Sequence, residues 1–299
     1  MNRAIDHVLA HLPEPLPLEA VARAADFSPF HFHRIFRSLM GETLQQFVKR
    51  VRLERAVREM VHGGGRSLTE IALGVGFASS SDFSRCFKQC YGISPSAFDA
   101  DAFRRTRRAE LQTLAEPEER HLLAGLPAGE NPDGFEAALR RLPPRVVAYT
   151  RVADPFRPGV VADAARGLVR WAEARGAASG AWLGYMWDDP EIVALPDCRY
   201  DVGVVVDDVR AEGSVGRMEF PAMTVASVPI AGGIDLEMRA IDWLWRTWLP
   251  SSGYVPTDHP SFEAWAGRPF EHGEEHFELE VQIPVRPAFG HGAPRSGPS

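Results

Sequence analysis

Cysteine is scarce in this sequence: 299 residues include three, Cys86, Cys90 and Cys198. They form no C-x-x-C pair and no other thiolate spacing suited to zinc, which argues against a zinc ribbon and against a disulfide-stapled secreted domain. Cys86 and Cys90 stand four apart on a predicted helix without a His or Cys partner set, so both are expected to be buried small hydrophobes. Long apolar runs are missing as well. None approaches the roughly 18 residues that a membrane span needs, and the opening residues lack an apolar signal region with a cleavage site. The expected compartment is the cytoplasm, with no membrane partner. Two catalytic signatures, the G-x-S-x-G elbow and the G-x-x-x-x-G-K-[ST] phosphate loop, are also absent. His272, Glu275 and His276 do spell H-x-x-E-H, but that chemistry needs both histidines on one helix face. Gly273 inside the segment, Pro269 before it and a predicted strand after it make this a chance match. No catalytic residue, metal or cofactor is expected.

What is present suits an ordinary folded protein of two domains, 45% hydrophobic and 24% charged. The net charge of −7 hides an asymmetry. Residues 1–112 hold 16 Lys and Arg against 12 Asp and Glu, and the remainder 17 against 28. A basic front half suits a polyanion. An acidic back half suits a cation, or simply solubility.

The front half reads as helical, with apolar residues at helical spacing and Pro, Gly, Ser or Thr at the breaks. Helices are predicted near 3–12, 17–25, 29–40, 43–62, 67–75, 80–91 and 95–105, with Gly63, Gly64 and Gly65 ending the long central one. Residues 109–142 read as linker. From Pro144 on, strands are predicted at 145–152, 182–187, 200–206, 223–230, 262–265 and 277–285, with amphipathic helices at 159–175 and 233–248. That order is strand–helix–strand–strand, written twice. The segment 288–299 is expected to be a disordered tail.

A repeat runs through the helical half. Leu18, Val21, Ala22 and Phe27 recur fifty residues on as Leu68, Ile71, Ala72 and Phe77. After one inserted residue, Phe32, Ile35, Phe36, Leu39 and Gly41 recur as Phe83, Cys86, Phe87, Cys90 and Gly92. Two copies of a helix-turn-helix unit joined by the helix at 43–62 account for this. In each copy the second helix has an apolar stripe and a polar outer face. The outer face carries Phe30, His33, Arg34 and Arg37 in the first copy, and Ser80, Ser81, Ser84, Arg85 and Lys88 in the second. Arginine can grip guanine bidentately, and Ser or His can donate to base edges or phosphates. Double-stranded DNA is the expected partner.

These strings carry a family resemblance. Residues 5–106 resemble the AraC-type DNA-binding domain through Phe27-Ser28-Pro29-Phe30-His31-Phe32-His33-Arg34-Ile35-Phe36. The second copy adds Phe83-Ser84-Arg85-Cys86-Phe87-Lys88 and Gly92-Ile93-Ser94-Pro95. The resemblance implies that Phe30, His33 and Arg34 face DNA in the first unit, and Ser80, Ser81, Ser84 and Arg85 in the second. It also implies RNA polymerase as a partner. Ser80 and Ser81 are shorter than the amides common there, so the second helix is expected to hold phosphates more than to read bases.

Residues 143–287 resemble the GyrI-like effector-binding domain. Its carriers are Gly184-Tyr185-Met186-Trp187-Asp188-Asp189-Pro190, Trp248-Leu249-Pro250-Ser251-Ser252-Gly253-Tyr254 and Phe277-Glu278-Leu279-Glu280-Val281-Gln282-Ile283-Pro284. The expected fold is thus an all-α N-terminal domain of seven helices with two helix-turn-helix units over 1–108, followed by an α+β domain of tandem βαββ units. Alternation on the last strand sets Glu278, Glu280 and Gln282 opposite Phe277, Leu279, Val281 and Ile283. A carboxylate among aromatic rings would take a cationic or amphipathic aromatic effector. Glu280 is the expected central acid and Glu263 the second, with Tyr185, Trp187, Tyr200 and Trp248 as walls. Two alternatives remain open: a hydrolase of reactive small molecules using a pocket Glu with an aromatic hydroxyl, and a gyrase-binding module. The second leaves the duplicated reader unexplained.

Overall fold

The computed structural model describes residues 1–62, 66–114 and 126–288. The three glycines expected to end the central helix lie outside the described residues, as does the expected tail from residue 289 on. The chain forms two compact units, one of Met1–Ala109 with Glu191–Val193 and one of the rest.

The first unit is helical: α1 (Asn2–Ala10), α2 (Leu18–Ala24), α3 (Pro29–Met40), α4 (Leu44–His62), α5 (Leu68–Gly74), α6 (Ser80–Tyr91) and α7 (Ala100–Leu114). The repeated apolar positions become its core, with Val21, Ala22, Phe32 and Phe36 buried in one copy and Ile71, Ala72, Phe83 and Phe87 in the other. Two expectations fail at the rim of the stripe. Leu39 is 64% exposed and Cys90 is exposed, while Cys86 and Cys198 are buried. Both misplaced residues sit in the last turn of their helix. The helix expected at 95–105 is broken instead: a short 3₁₀ turn (Pro95–Ala97) precedes α7. Asp99 restarts the helix, its Oδ1 accepting from the Ala102 amide at 2.9 Å.

The second unit is a nine-stranded antiparallel sheet ordered β1-β6-β9-β8-β3-β4-β2-β5, with β7 paired to β9. Its strands are β1 (Ala138–Leu142), β2 (Arg145–Ala153), β3 (Trp182–Met186), β4 (Arg199–Val206), β5 (Val215–Phe220), β6 (Met223–Gly232), β7 (Tyr254–Pro256), β8 (Ser261–Trp265) and β9 (Phe277–Pro287). Strands β1, β5 and β7 were not expected. β1 sets Arg140 beside Arg141 and β5 alternates charged with apolar residues, both at the sheet edges, and β7 holds a proline, so none reads as a buried strand. The segment expected as linker is also shorter than read. Leu126 and Phe135 are buried in the sheet unit's core, and β1 pairs with β6.

Helices α8 (Val160–Glu173) and α9 (Ile234–Trp243) cover one face of this sheet. Ala165, Leu168 and Ala172 of α8 pack on Ala148, Trp182, Val202 and Val204. Ala240 and Trp243 of α9 pack on Val228, Leu279, Val281 and Ile283. A π-helical turn (Leu244–Trp248) and α10 (Leu249–Ser252) prolong α9. The opposite face has its own core of Val147, Tyr149, Leu183, Tyr185, Phe220 and Phe262. Phe220 on β5 and Phe262 on β8 have ring centroids 5.0 Å apart although three strands separate them in the sheet order. The sheet therefore curls, with this face concave.

Candidate functional sites

Each helix-turn-helix unit is set by caps at both ends of its second helix. Ser28 caps α3 by accepting from the His31 amide at 3.5 Å, Pro29 occupies the first turn, and Gly41 ends the helix at φ 71°. Ser79 caps α6 through the Asp82 amide at 3.1 Å, and Gly92 ends it at φ 78°. The turn occupies residues 25–28 in the first unit and 75–79 in the second, so the extra residue falls where the repeat placed it. The residues singled out for DNA lie on the outer faces. Phe30 is 69% exposed, and His33, Arg34 and Arg37 of α3 are exposed beside it. On α6, Ser81, Ser84, Arg85 and Lys88 are exposed and Ser80 is partly buried, with its hydroxyl 3.4 Å from that of Thr69. Arg85 donates to Asp82 at 2.6 Å, and the Arg34 guanidinium lies 5.9 Å from the Phe30 ring centre. A groove of about 390 Å³ beside α3 is lined by His31, Arg34, Ile35, Ser38 and Leu39.

In the sheet unit the six expected effector residues do not share one surface. Tyr200 and Glu263 come together on the helix-covered face, where the Tyr200 hydroxyl donates to Glu263 Oε2. Glu237 of α9 and Trp265 of β8 also hydrogen-bond to the Glu263 side chain. Strand pairing aligns Glu263 with Gly184 of β3, and only glycine leaves room there: a Cβ at Gly184 would overlap both Tyr200 Oη and Glu263 Oε2. Glu237 is buried at 4% exposure, whereas Glu263 is partly exposed. Burial, then the facing Glu263, pushes the Glu237 carboxyl well above the ordinary value. Burial also raises Glu263, against the hydrogen bonds from Tyr200, Glu237 and Trp265 that favour its charged form. The Tyr200 hydroxyl is raised too, by burial and by Glu263.

The remaining expected residues lie elsewhere. Glu280, taken as the central acid, is on the concave face, bound to Arg140 at 2.8 Å and to the Ser227 hydroxyl at 2.7 Å. Tyr185 is fully buried and lies edge-on to Phe220 with centroids 5.4 Å apart. The Trp187 indole donates to Asp201 at 2.7 Å, and Asp201 also takes two bonds from Arg151 at 2.8 and 2.7 Å. Trp248 stacks on Tyr254 at 6.2 Å. Strand alternation separates Glu280, Tyr185 and Trp187 from Glu263 by the thickness of the sheet. Sequence reasoning missed Glu237. The available signal was an acid in helical register with Ala240 and Leu244 on the stripe that α9 buries. A separate cavity of about 420 Å³, lined by Thr150, Gly167, Trp171, Arg175 and Glu212 among others, contains none of these groups.

Two helix-turn-helix units, followed along the chain by a sheet unit with an acid set between sheet and helices, define a two-part architecture. Comparison with known proteins agrees. Residues 21–101 match a helix-turn-helix domain, and residues 136–286, just over half of the chain, match the GyrI-like small molecule binding domain. The chain is 28% identical over 141 residues to the uncharacterized HTH-type transcriptional regulator YbfP of Bacillus subtilis, covering 47% of this chain and 46% of YbfP. It is 34% identical over 98 residues to the regulatory protein PocR of Salmonella typhimurium, covering 33% of this chain and 32% of PocR. The match thus spans less than half the length of either relative. A crystal structure of an AraC-type transcriptional regulator from Chromobacterium violaceum is 25% identical, covering 32% of this chain and 84% of that chain, with a TM-score of 0.30. The chain belongs to the GyrI-like small molecule binding family and carries an AraC-type helix-turn-helix domain in front. Both matched families are binding domains, and both relatives are named as regulators. Among the described residues, no helix is long and apolar enough to cross a membrane.

Proposed function

We propose that the protein is a sequence-specific DNA-binding transcription regulator whose sheet domain binds a small cationic or amphipathic aromatic effector. The observation that carries the reading is the duplicated second helix. Arg34 and Arg37 on α3, and Arg85 and Lys88 on α6, are exposed at corresponding positions of two units. The 19-residue α4 that joins them extends about 28 Å, of the order of one duplex turn, which suits two successive major-groove segments. Phe30 and His33 belong to the first reading surface, and Ser81 and Ser84 to the second. RNA polymerase is the proposed further partner.

The reader spans residues 1–108, and β2-α8-β3-β4 with β6-α9-β8-β9 form two βαββ halves that meet where β3 pairs with β8. The effector site lies at this joint, with Glu263 as central acid and Tyr200, Trp265 and Glu237 around it. An acid among rings attracts a cation both by ion pairing and through the ring faces. The test is selection of bound fragments from random duplex DNA by the full chain at fixed salt. The expected result is an enriched site of two short blocks about one helical turn apart. Salt-sensitive binding with no enriched sequence overturns the reading.

A further inference from the structure

The Glu237 and Glu263 side chains hydrogen-bond to each other. Two carboxylates cannot do so: each would offer only acceptors, so one proton must lie between them. The surroundings say which group carries it. Glu263 accepts from the Tyr200 hydroxyl and from Trp265, a donor set that favours its anionic form. Glu237 is buried and bonded to Glu263, which leaves it as the protonated donor. The pair therefore holds one negative charge and one exchangeable proton.

Among the described residues, no cation on the packed elements competes for that charge. On α8, Arg166 bonds to Asp163 and Glu274, Glu173 pairs with Arg268, and Arg170 is exposed. On α9, Arg239 bonds to Asp133 and Asp235, and Asp242 accepts from the Leu126 amide. Strands β3, β4 and β9 bring only Gly184, Met186, Tyr200 and apolar residues to this face, because Asp201 of β4 and Glu280 of β9 point to the other. Neither carboxyl is drawn down by a positive group.

We propose that the effector site works by cation–proton exchange: a bound organic cation takes the place of the proton shared by Glu237 and Glu263, and Glu237 determines this specificity. The inference rests on the cation-site reading above. When a cation enters, both carboxyls become anions and one proton leaves to solvent. The atoms and charge balance as cation in, proton out. A neutral ligand of the same shape displaces no proton and meets a site still holding a buried, hydrogen-bonded acid. Affinity for cations therefore rises with pH, by about tenfold per pH unit where one full proton is released, while affinity for neutral isosteres stays flat.

The test uses the full chain with N-methylquinolinium, a flat cation of fixed charge and no exchangeable proton, and 1-methylnaphthalene as its neutral counterpart. Titration calorimetry in two buffers of different ionisation enthalpy counts the protons released. Infrared difference spectra of the ligand-free protein follow the carbonyl band of the protonated carboxyl. The expected result is about one proton released by the wild type, about none by Glu237→Gln, and loss of the carboxyl band on cation binding. Cation binding without proton release overturns the exchange and leaves the cation site standing. If wild type and Glu263→Gln show the same cation affinity, the cation-site reading itself fails and the exchange with it. An infrared spectrum lacking the protonated band removes the shared proton regardless of ligand.

Discussion

At the scale of single residues, Glu237 is buried and Arg145 partly buried, the fold disfavours the charge of both, and they differ in kind. The folded state holds Glu237 protonated at a pH where the unfolded chain has released that proton. As pH rises above the ordinary carboxylate value, the folded state binds more protons than the unfolded one, so stability falls with pH. The slope approaches about 1.4 kcal/mol per pH unit for one proton and ends once the folded pair titrates. Glu237→Gln keeps a hydrogen-bonding amide and removes the titration, so its unfolding free energy should vary less with pH. Urea melts of both proteins across the neutral range measure this, and parallel curves would rule it out. Arg145 lies 4.4 Å from the Phe262 ring centre and 5.6 Å from that of Phe220, and burial lowers its pKa to about 10. Its Nε and Nη2 have no hydrogen-bond partner among the described residues. Arg145→Met retains the apolar stem and drops the desolvated charge, so it should be neutral or stabilising by about 1 kcal/mol in the same melts. A clear destabilisation would show that the ring contacts outweigh desolvation.

At the scale of elements, the turn between α5 and α6 shows why the reader tolerates little change. Gly76 has φ 99°, and an added Cβ would lie 2.6 Å from the Leu12 carbonyl oxygen. That oxygen also accepts from Arg52 at 3.0 Å, so the turn, the residues just after α1, and α4 meet at one point. Gly76→Ala should cost about 2–4 kcal/mol. Gly41→Ala, at φ 71° with nothing within 4 Å of the new atom, should cost about 1 kcal/mol. Similar losses at the two positions in thermal melts would refute the contact argument. For the second helices, Arg34→Ala and Arg85→Ala should each cost about 1–3 kcal/mol of specific DNA binding if they grip bases. Equal losses on every sequence with a reduced salt slope would assign them to phosphates. Arg85 must first leave Asp82, so its loss is expected to be the smaller. Most of this was legible beforehand because helical period and duplication reinforce each other at Phe32, Phe36, Phe83 and Phe87. The effector site was less so. Alternation told that Glu280 and Val281 point apart, yet not which face the helices cover. Glu280 is suggested by its strand alone, whereas Glu263 meets Tyr200 on the helix-covered face because β8 pairs with β3, a pairing that no local pattern encodes.

At the scale of the whole molecule, the charge division between the basic front and acidic back of the chain becomes a thermodynamic question. The proposed DNA-reading surface presents cations to a polyanion, and the proposed sensor site presents an acid pair to a cation. If effector binding changes DNA affinity by some factor, DNA binding must change effector affinity by the same factor, because the two equilibria share one cycle. The size of that factor measures regulation directly and needs no assumption about activation or repression. The expected outcome is a shift of about fivefold or more in operator affinity when N-methylquinolinium saturates the protein, the lower end of typical coupling. An equal shift in cation affinity is expected when operator saturates it. Proton release sharpens the prediction: an exchange site makes the coupling seen at sub-saturating cation grow with pH, since occupancy grows with pH, while the factor at saturation holds. Glu237→Gln should flatten the first dependence and leave the second intact. Fluorescence anisotropy on a labelled operator, paired with calorimetry on the cation, reads both arms of the cycle. Unequal arms would expose binding of the cation to the DNA itself. A factor of one in both would make the sheet domain a ligand-binding module without influence on the reader.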